Sequence, residues 1–262
     1  MNHITPGGHG LGLLKQTPDH RDFLFAPKFT GKLPPMVDLR TSKFRPSIWD
    51  QGQLGSCTAH AIGRMGEQTY GIDGFHNQFA PSRLFLYWNS RALEGTTATD
   101  AGASMRDAVQ ALVKQGMCAE HWWPYSTANP GPFSVQPPTE AYQNAAKHLA
   151  VQYQAVNQDE VTMKACLAAG FPFVIGIEVH QSFEGPNAAA TGVIPLPIVD
   201  SPVDPVIGGH ALTVEGYDDS HQWWIVDNSW GMFGDRGSVY LPYAYLTNPA
   251  LSYDFWTLRV QH

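Results

Sequence analysis

The sequence predicts an α+β protein made of two lobes with a cleft between them, and three observations predict it. The chain has 262 residues, enough for one large domain or a pair of lobes. Segments with helical spacing crowd residues 57–170. From residue 171 the apolar pattern shortens into β-rich runs parted by Gly, Pro and Asp. Helices followed by strands, rather than alternating with them, are the mark of that class.

Residues 1–32 stand apart. They are rich in Gly and Pro, lack periodicity and carry the polar block TPDHRDF (17–23), so they read as an arm rather than a domain. The stretch GGHGLG (7–12) fails the G-x-G-x-x-G phosphate pattern and follows no strand, so it reads as flexible. Residues 33–262 form the body, with a helical lobe over about 50–135 and a β-rich lobe over about 136–262. In CTAHAIGRMGEQTYG, the residues Ala59, Ile62, Gly63, Gly66 and Tyr70 recur at spacings of three and four. Pro81 opens a helix over 81–93. Lys114 and Gly116 close one over 103–116. Two more are expected over 140–150 and 159–170, the last stopped by Gly170. The strand runs are PFVIGIEV, HALTVEGY, QWWIVDN, GSVYLP and YDFWTLRV.

Composition narrows the function. The charged share is 15%, the aromatic share 12% and the net charge −7, with no Lys/Arg cluster. That argues against nucleic acid or an anionic membrane as the main partner. The start carries no signal-peptide pattern, which leaves the compartment open between cytoplasm and a non-standard export route. The three cysteines, Cys57, Cys118 and Cys166, read as free thiols rather than a disulfide framework. Cys166 reads as core and Cys118 as partly buried. His60 and His180 lack partners at ligand spacing and read as structural. Neither HExxH nor CxxC occurs, so no metal and no cofactor are expected.

The stretch DQGQLGSCTAH (50–60) sets the chemical question. Gly55 and Ser56 turn the chain into a helix behind Cys57, and a helix N-terminus beside an imidazolium lowers a thiol pKa. Alone, Cys57 reads equally well as a small buried hydrophobe. GGHALTVEGYDD (208–219) then places His210 at the start of a strand, after two glycines. QWWIVDNSWG (222–231) ends its strand at Asn228, whose carboxamide oxygen can orient an imidazole toward sulfur. Trp230 would shield that bond from water. The Gln51 side chain and the Cys57 amide could form an oxyanion hole.

With those residues in view, the sequence resembles the papain-like cysteine peptidases. The match runs through QGQLGSC (51–57), GHALTVEGY (209–217) and NSWG (228–231), with LPPMVDLR (33–40) and WWPYS (122–126) in the family's order. Leu54 stands where many members carry a disulfide cysteine, Thr58 follows the nucleophile where Trp is usual, and Gly209 replaces the Asp or Asn before the histidine. The missing disulfide points to the bacterial branch. The resemblance implies a helical left lobe, a β-barrel-like right lobe, and endopeptidase activity on protein or peptide substrates through a Cys57–His210 thiolate–imidazolium pair and a thioester. It also implies a substrate cleft lined by Gly55, Ser56 and Gly102, and a roomy apolar second subsite at Gly176 and Gly208. Gly209 and Trp230 complete the expected binding residues. Two alternatives use the same fold: a catalytically silent binding protein, and an acyl transferase. Finally, the arm is expected to fold back over Cys57, with Asp19, Arg21 and Asp22 bonding to the body and Phe23 and Phe25 seeking apolar contacts.

Overall fold

The computed structural model describes residues 3–259, apart from 18, 20, 21, 27–30, 74–77, 129, 130, 150 and 151. Arg21 of the arm therefore lies outside the described residues.

Five helices matter for the site: α1 (Cys57–Ile72), α2 (Arg83–Glu94), α3 (Met105–Gln115), α4 (Thr139–Ala145) and α5 (Glu160–Ala168). Side-chain caps set three of the starts. Ser82 Oγ accepts from the Phe85 amide, Ser104 Oγ from that of Asp107, and Asp159 Oδ1 from that of Thr162. Gly95, at φ 73°, ends α2. Helix α1 is buried on almost every side, its polar His60, Arg64 and Gln68 included. Gly63 meets Leu86 and Pro81, and Gly66 meets Met117, so the neighbouring elements close onto its axis.

The strands are β1 (His3–Ile4), β2 (Gly10–Leu11), β3 (Leu13–Leu14), β4 (Met36–Asp38), β5 (Ala103–Ser104), β6 (Gln152–Ala155), β7 (Phe173–His180), β8 (Val206–Asp218), β9 (Trp223–Asp227), β10 (Ser238–Pro242) and β11 (Ser252–Arg259). Seven of them form an antiparallel sheet in the order β10-β9-β8-β7-β11-β6, with β4 joined to the end of β8. The fold is α+β as expected, but the sheet stays open, so the right lobe is not a closed barrel. A bulge between Val214 and Gly216 lets β8 carry both β9 and β4, and the β4 backbone at Val37 lies against Gly216 with no room for a Cβ.

One core lies among α5, β7–β11 and the arm residues Leu11 and Phe25; a second gathers α1–α3 with Leu13, Val174 and Ala211. The two meet where α1 packs on β8, and the candidate site lies on that seam.

The arm is not featureless. β1 pairs with β2, and β3 pairs in parallel with β5, so GGHGLG runs into an extended, buried segment. His210 also falls in the middle of β8 rather than at its start, because the strand begins before the two glycines.

Candidate active site

Cys57 is the first residue of α1, at the helix's positive end. Its flank is held rigidly. Ser56 donates to Tyr125 Oη at 2.7 Å, and Tyr125 donates to the Gln51 carbonyl at 2.9 Å. The Ser56 side chain is buried and turned toward Tyr125.

His210 approaches from β8, paired with Ile177. Its Nε2 lies 2.9 Å from Asn228 Oδ1, and Oδ1 also accepts the Ser229 amide at 2.7 Å. A carboxamide oxygen only accepts, so Nε2 carries the hydrogen and Nδ1 presents a lone pair. Nδ1 is buried with no partner among the described residues. The Trp230 ring, 4.7 Å from the imidazole and 2% exposed, closes the far side. The Ala211 amide, next along β8, faces the Cys57 thiol, so β8 delivers His210 to the head of α1.

Gln51 is fully buried. Its Oε1 accepts from Ser229 Oγ at 2.5 Å, which fixes the amide orientation. Its Nε2 donates to the Leu54 carbonyl at 2.8 Å and to the Gly10 carbonyl at 3.0 Å.

Gly10 belongs to the arm, which runs through the cleft. The Gly10 amide donates to the Gly52 carbonyl at 2.9 Å, and the Ala103 amide donates to the Gly12 carbonyl at 2.8 Å. The backbones touch: a Cβ on Gly10 would lie 2.6 Å from the Gln53 oxygen, and one on Gly12 would overlap the Gly55 backbone. The Gly12 amide faces the thiol. Leu13 packs its side chain over Gly176 and Gly209 beside the Tyr253 ring. The expected roomy subsite is therefore bounded by Tyr253 and filled by Leu13, while Gly208 sits further along, paired with Val179. His9 stacks on Trp230 at 4.5 Å, nearly parallel.

Outside the cleft, the Thr5 hydroxyl donates to Glu184, Arg106 Nη2 donates to Asp22 at 2.7 Å, and Phe25 is buried in the sheet core. Phe23 is 71% exposed and makes no such contact, contrary to expectation.

Cys57 and His210 are both 0% exposed. Burial pushes the thiol up to about 11, against the pull of the Ala211 and Gly12 amides. Burial also pushes His210 down to about 4, although the Asn228 bond raises it. With the arm docked, burial thus favours the uncharged form of both groups. Cys118, expected to be partly buried, is fully buried beside Ala141, and Cys166 is buried as core; all three cysteines are free. His180 bonds the Asp204 carbonyl at 2.7 Å. Among the described residues no group of three metal-ligating side chains occurs.

The structure thus brings Gln51, Gly55, Cys57, Gly102, Gly176, Gly209, His210, Asn228 and Trp230 around one cleft. Sequence reasoning missed His9, Gly10, Gly12 and Leu13 as its occupants. The alternation of Gly10 and Gly12 with Leu11 and Leu13 was the available strand signal.

A family model, papain family cysteine protease, matches residues 33–245. A peptidase C1-like protein of Acanthamoeba polyphaga mimivirus is 35% identical across 95% of this chain and 86% of its own. Chicken cathepsin K is 27% identical across 88% of this chain and 66% of its own. Among solved structures, xylellain, a cysteine protease from Xylella fastidiosa, superposes with a TM-score of 0.90 at 36% identity, covering 100% of this chain and 98% of its own. The chain belongs to the papain family of cysteine proteases, which are hydrolases.

Proposed function

We propose that the chain is a cysteine endopeptidase whose own N-terminal arm keeps it latent. The observation that carries the reading is Gln51 Nε2 holding a backbone carbonyl oxygen, that of Gly10, beside a cysteine at a helix head that is backed by a His210–Asn228 pair. A scissile carbonyl in that place would meet the same donor.

With the arm displaced, water reaches the pair and the proton moves from Cys57 to His210. The thiolate attacks the carbonyl carbon and a C–S bond forms. The oxygen takes the negative charge, and Gln51 Nε2 and the Cys57 amide stabilise it; one such donor is worth roughly 10²–10³ in rate. The C–N bond then breaks as His210 gives its proton to the leaving amine, leaving a thioester. A water attacks the thioester, His210 takes its proton, and the C–S bond breaks to release the acid and restore the thiol. Asn228 Oδ1 keeps the imidazole in one tautomer throughout. Gly55 and Gly102 would pair with the substrate backbone where the arm now pairs.

The test measures hydrolysis of a small peptide amide by the full chain, by a chain lacking residues 1–32, and by each carrying Cys57→Ala. The expected result is faster turnover without the arm and none with alanine. Turnover that survives Cys57→Ala would refute the cysteine mechanism. Equal turnover with and without the arm would refute latency. An arm-free wild type that binds peptide but never cuts it would favour a silent binding protein, and aminolysis products with added amine would favour an acyl transferase.

A further inference from the structure

Beneath the His210–Asn228 pair lies a cavity of about 10 Å³, the room that one water molecule needs. Its walls include Trp49, His60, Arg64, Thr213, Asp227 and Asn228. Three buried polar atoms of wall residues have no hydrogen-bond partner among the described residues: Arg64 Nε, which lies 3.7 Å from Glu215, and His60 Nε2 and Asn228 Nδ2. The last two residues are at least nine-tenths buried, His60 at 1% exposed and Asn228 at 4%.

The donors and acceptors can be assigned. His60 Nδ1 lies 3.0 Å from the Ser56 carbonyl oxygen, which can only accept, so the hydrogen is on Nδ1 and Nε2 offers a lone pair. Burial among Trp49 and Tyr125 keeps the ring neutral. Thr213 donates its hydroxyl hydrogen to the Ala61 carbonyl at 3.1 Å, so toward the cavity it too accepts. Asn228 Oδ1 is already taken by His210 and the Ser229 amide, which leaves Nδ2 as the donor.

A single water satisfies this set in one orientation. It gives one hydrogen to His60 Nε2 and the other to Thr213 Oγ1, and receives Asn228 Nδ2–H on a lone pair. A carboxamide turned end for end would set Oδ1 against that lone pair. We propose that His60 is a positioning residue for the catalytic pair: through one buried water it holds the Asn228 carboxamide with its oxygen toward His210. The Ser229 amide holds one side of that carboxamide and the water holds the other. This inference rests on the reading of Asn228 as the orienting group.

Loss of the water bond loosens the acceptor that stabilises imidazolium, so the ion pair should fail at lower pH on the alkaline side. The test compares wild type, His60→Leu, which removes the lone pair, and His60→Gln, whose Oε1 can reach the Nε2 position. Full-length proteins are assayed on a small peptide amide across pH, and the wild-type crystal structure is determined at a resolution that shows water. Expected are a loss of roughly three- to tenfold in kcat for His60→Leu, the size of one net hydrogen bond, with KM unchanged. Its alkaline limb of kcat/KM should shift downward, with rescue of both by His60→Gln. Equal kinetics in Leu and Gln variants, or a cavity water not bonded to both His60 Nε2 and Asn228 Nδ2, would overturn the proposal. The crystallographic arm decides it even if His60→Leu does not fold. It also separates this proposal from the last: a wild type that cuts no peptide defeats the peptidase reading while the water remains to be seen.

Discussion

Replacing Gly10 by alanine should open the enzyme without touching the body. A Cβ at this position would lie 2.6 Å from the Gln53 carbonyl oxygen and 2.7 Å from the Leu54 carbonyl carbon. That turn cannot yield, because Leu54 is buried and its carbonyl is bonded by Gln51. The arm must move instead. Overpacking of this kind costs about 1–3 kcal/mol. The loss of glycine freedom in the undocked arm opposes it by about 0.4–1 kcal/mol. The net is about 0–2.6 kcal/mol in favour of undocking, or up to roughly an 80-fold rise in the undocked fraction. Gly7 is the matched control. A Cβ there would lie 2.6 Å from Glu184 Oε1, the end of a flexible side chain that bonds the Thr5 hydroxyl and the Gly7 amide rather than a fixed backbone. Gly7→Ala should therefore show only the entropy effect and dock slightly tighter. The assay is the rate of Cys57 alkylation by iodoacetamide in the full-length chains, read by intact mass. Under conditions where docking outpaces alkylation, that rate follows the undocked fraction. Gly10→Ala reacting no faster than Gly7→Ala would refute the reasoning.

Acid should loosen the arm. His9, docked on Trp230, is held below its ordinary 6.5 by burial, with Glu184 and Asp50 opposing. A lowered docked pKa means that docking is fully supported above the free value and weakens as pH falls through it. The ratio of full-length to arm-deleted kcat/KM should thus rise toward unity below about pH 6.5, with a flatter profile for His9→Gln. In the arm-deleted chain, Cys57 should alkylate at about pH 6 while Cys118 and Cys166, pushed up by burial to about 12 and about 11, stay unmodified; equal labelling of all three, checked by peptide mapping, would contradict it. Arg64, buried with Nη2 2.5 Å from Asp227 and Nε 3.7 Å from Glu215, holds the carboxylate next to Asn228. Arg64→Ala should cost about 3 kcal/mol by chemical denaturation, the low end for a broken buried pair because Arg45 still reaches Asp227 at 3.1 Å.

Part of the cleft was legible in the sequence because two of its residues sit at element ends. Cys57 opens a helix and Asn228 follows a strand, and both positions are marked by turn chemistry on either side. The helix periods of α1 to α3 were equally visible, since each presents an apolar face. The arm was not legible as structure. Its strands are two residues long and are held by backbone contacts through glycine, so the Gly–Leu alternation of residues 10–13 is their one side-chain trace. His60 carried no visible signal either. Its partners are a carbonyl one helical turn back and a cavity bounded by β8 and β9, so its role depends on tertiary placement. The open sheet likewise follows from register and from the branch at Gly216, which periodicity alone does not encode.

Strand β8 is paired along its length by β7, β9 and β4 and is covered by α1, whereas the arm holds the cleft by ladders of two residues. These two kinds of attachment differ in how often they come apart. Amide hydrogens around His210 should trade with solvent only when the whole sheet unravels, while those of Gly10 and Gly12 trade each time the arm lifts. The molecule therefore keeps two clocks, a slow one for its integrity and a fast one for its availability, and the second can be reset without disturbing the first.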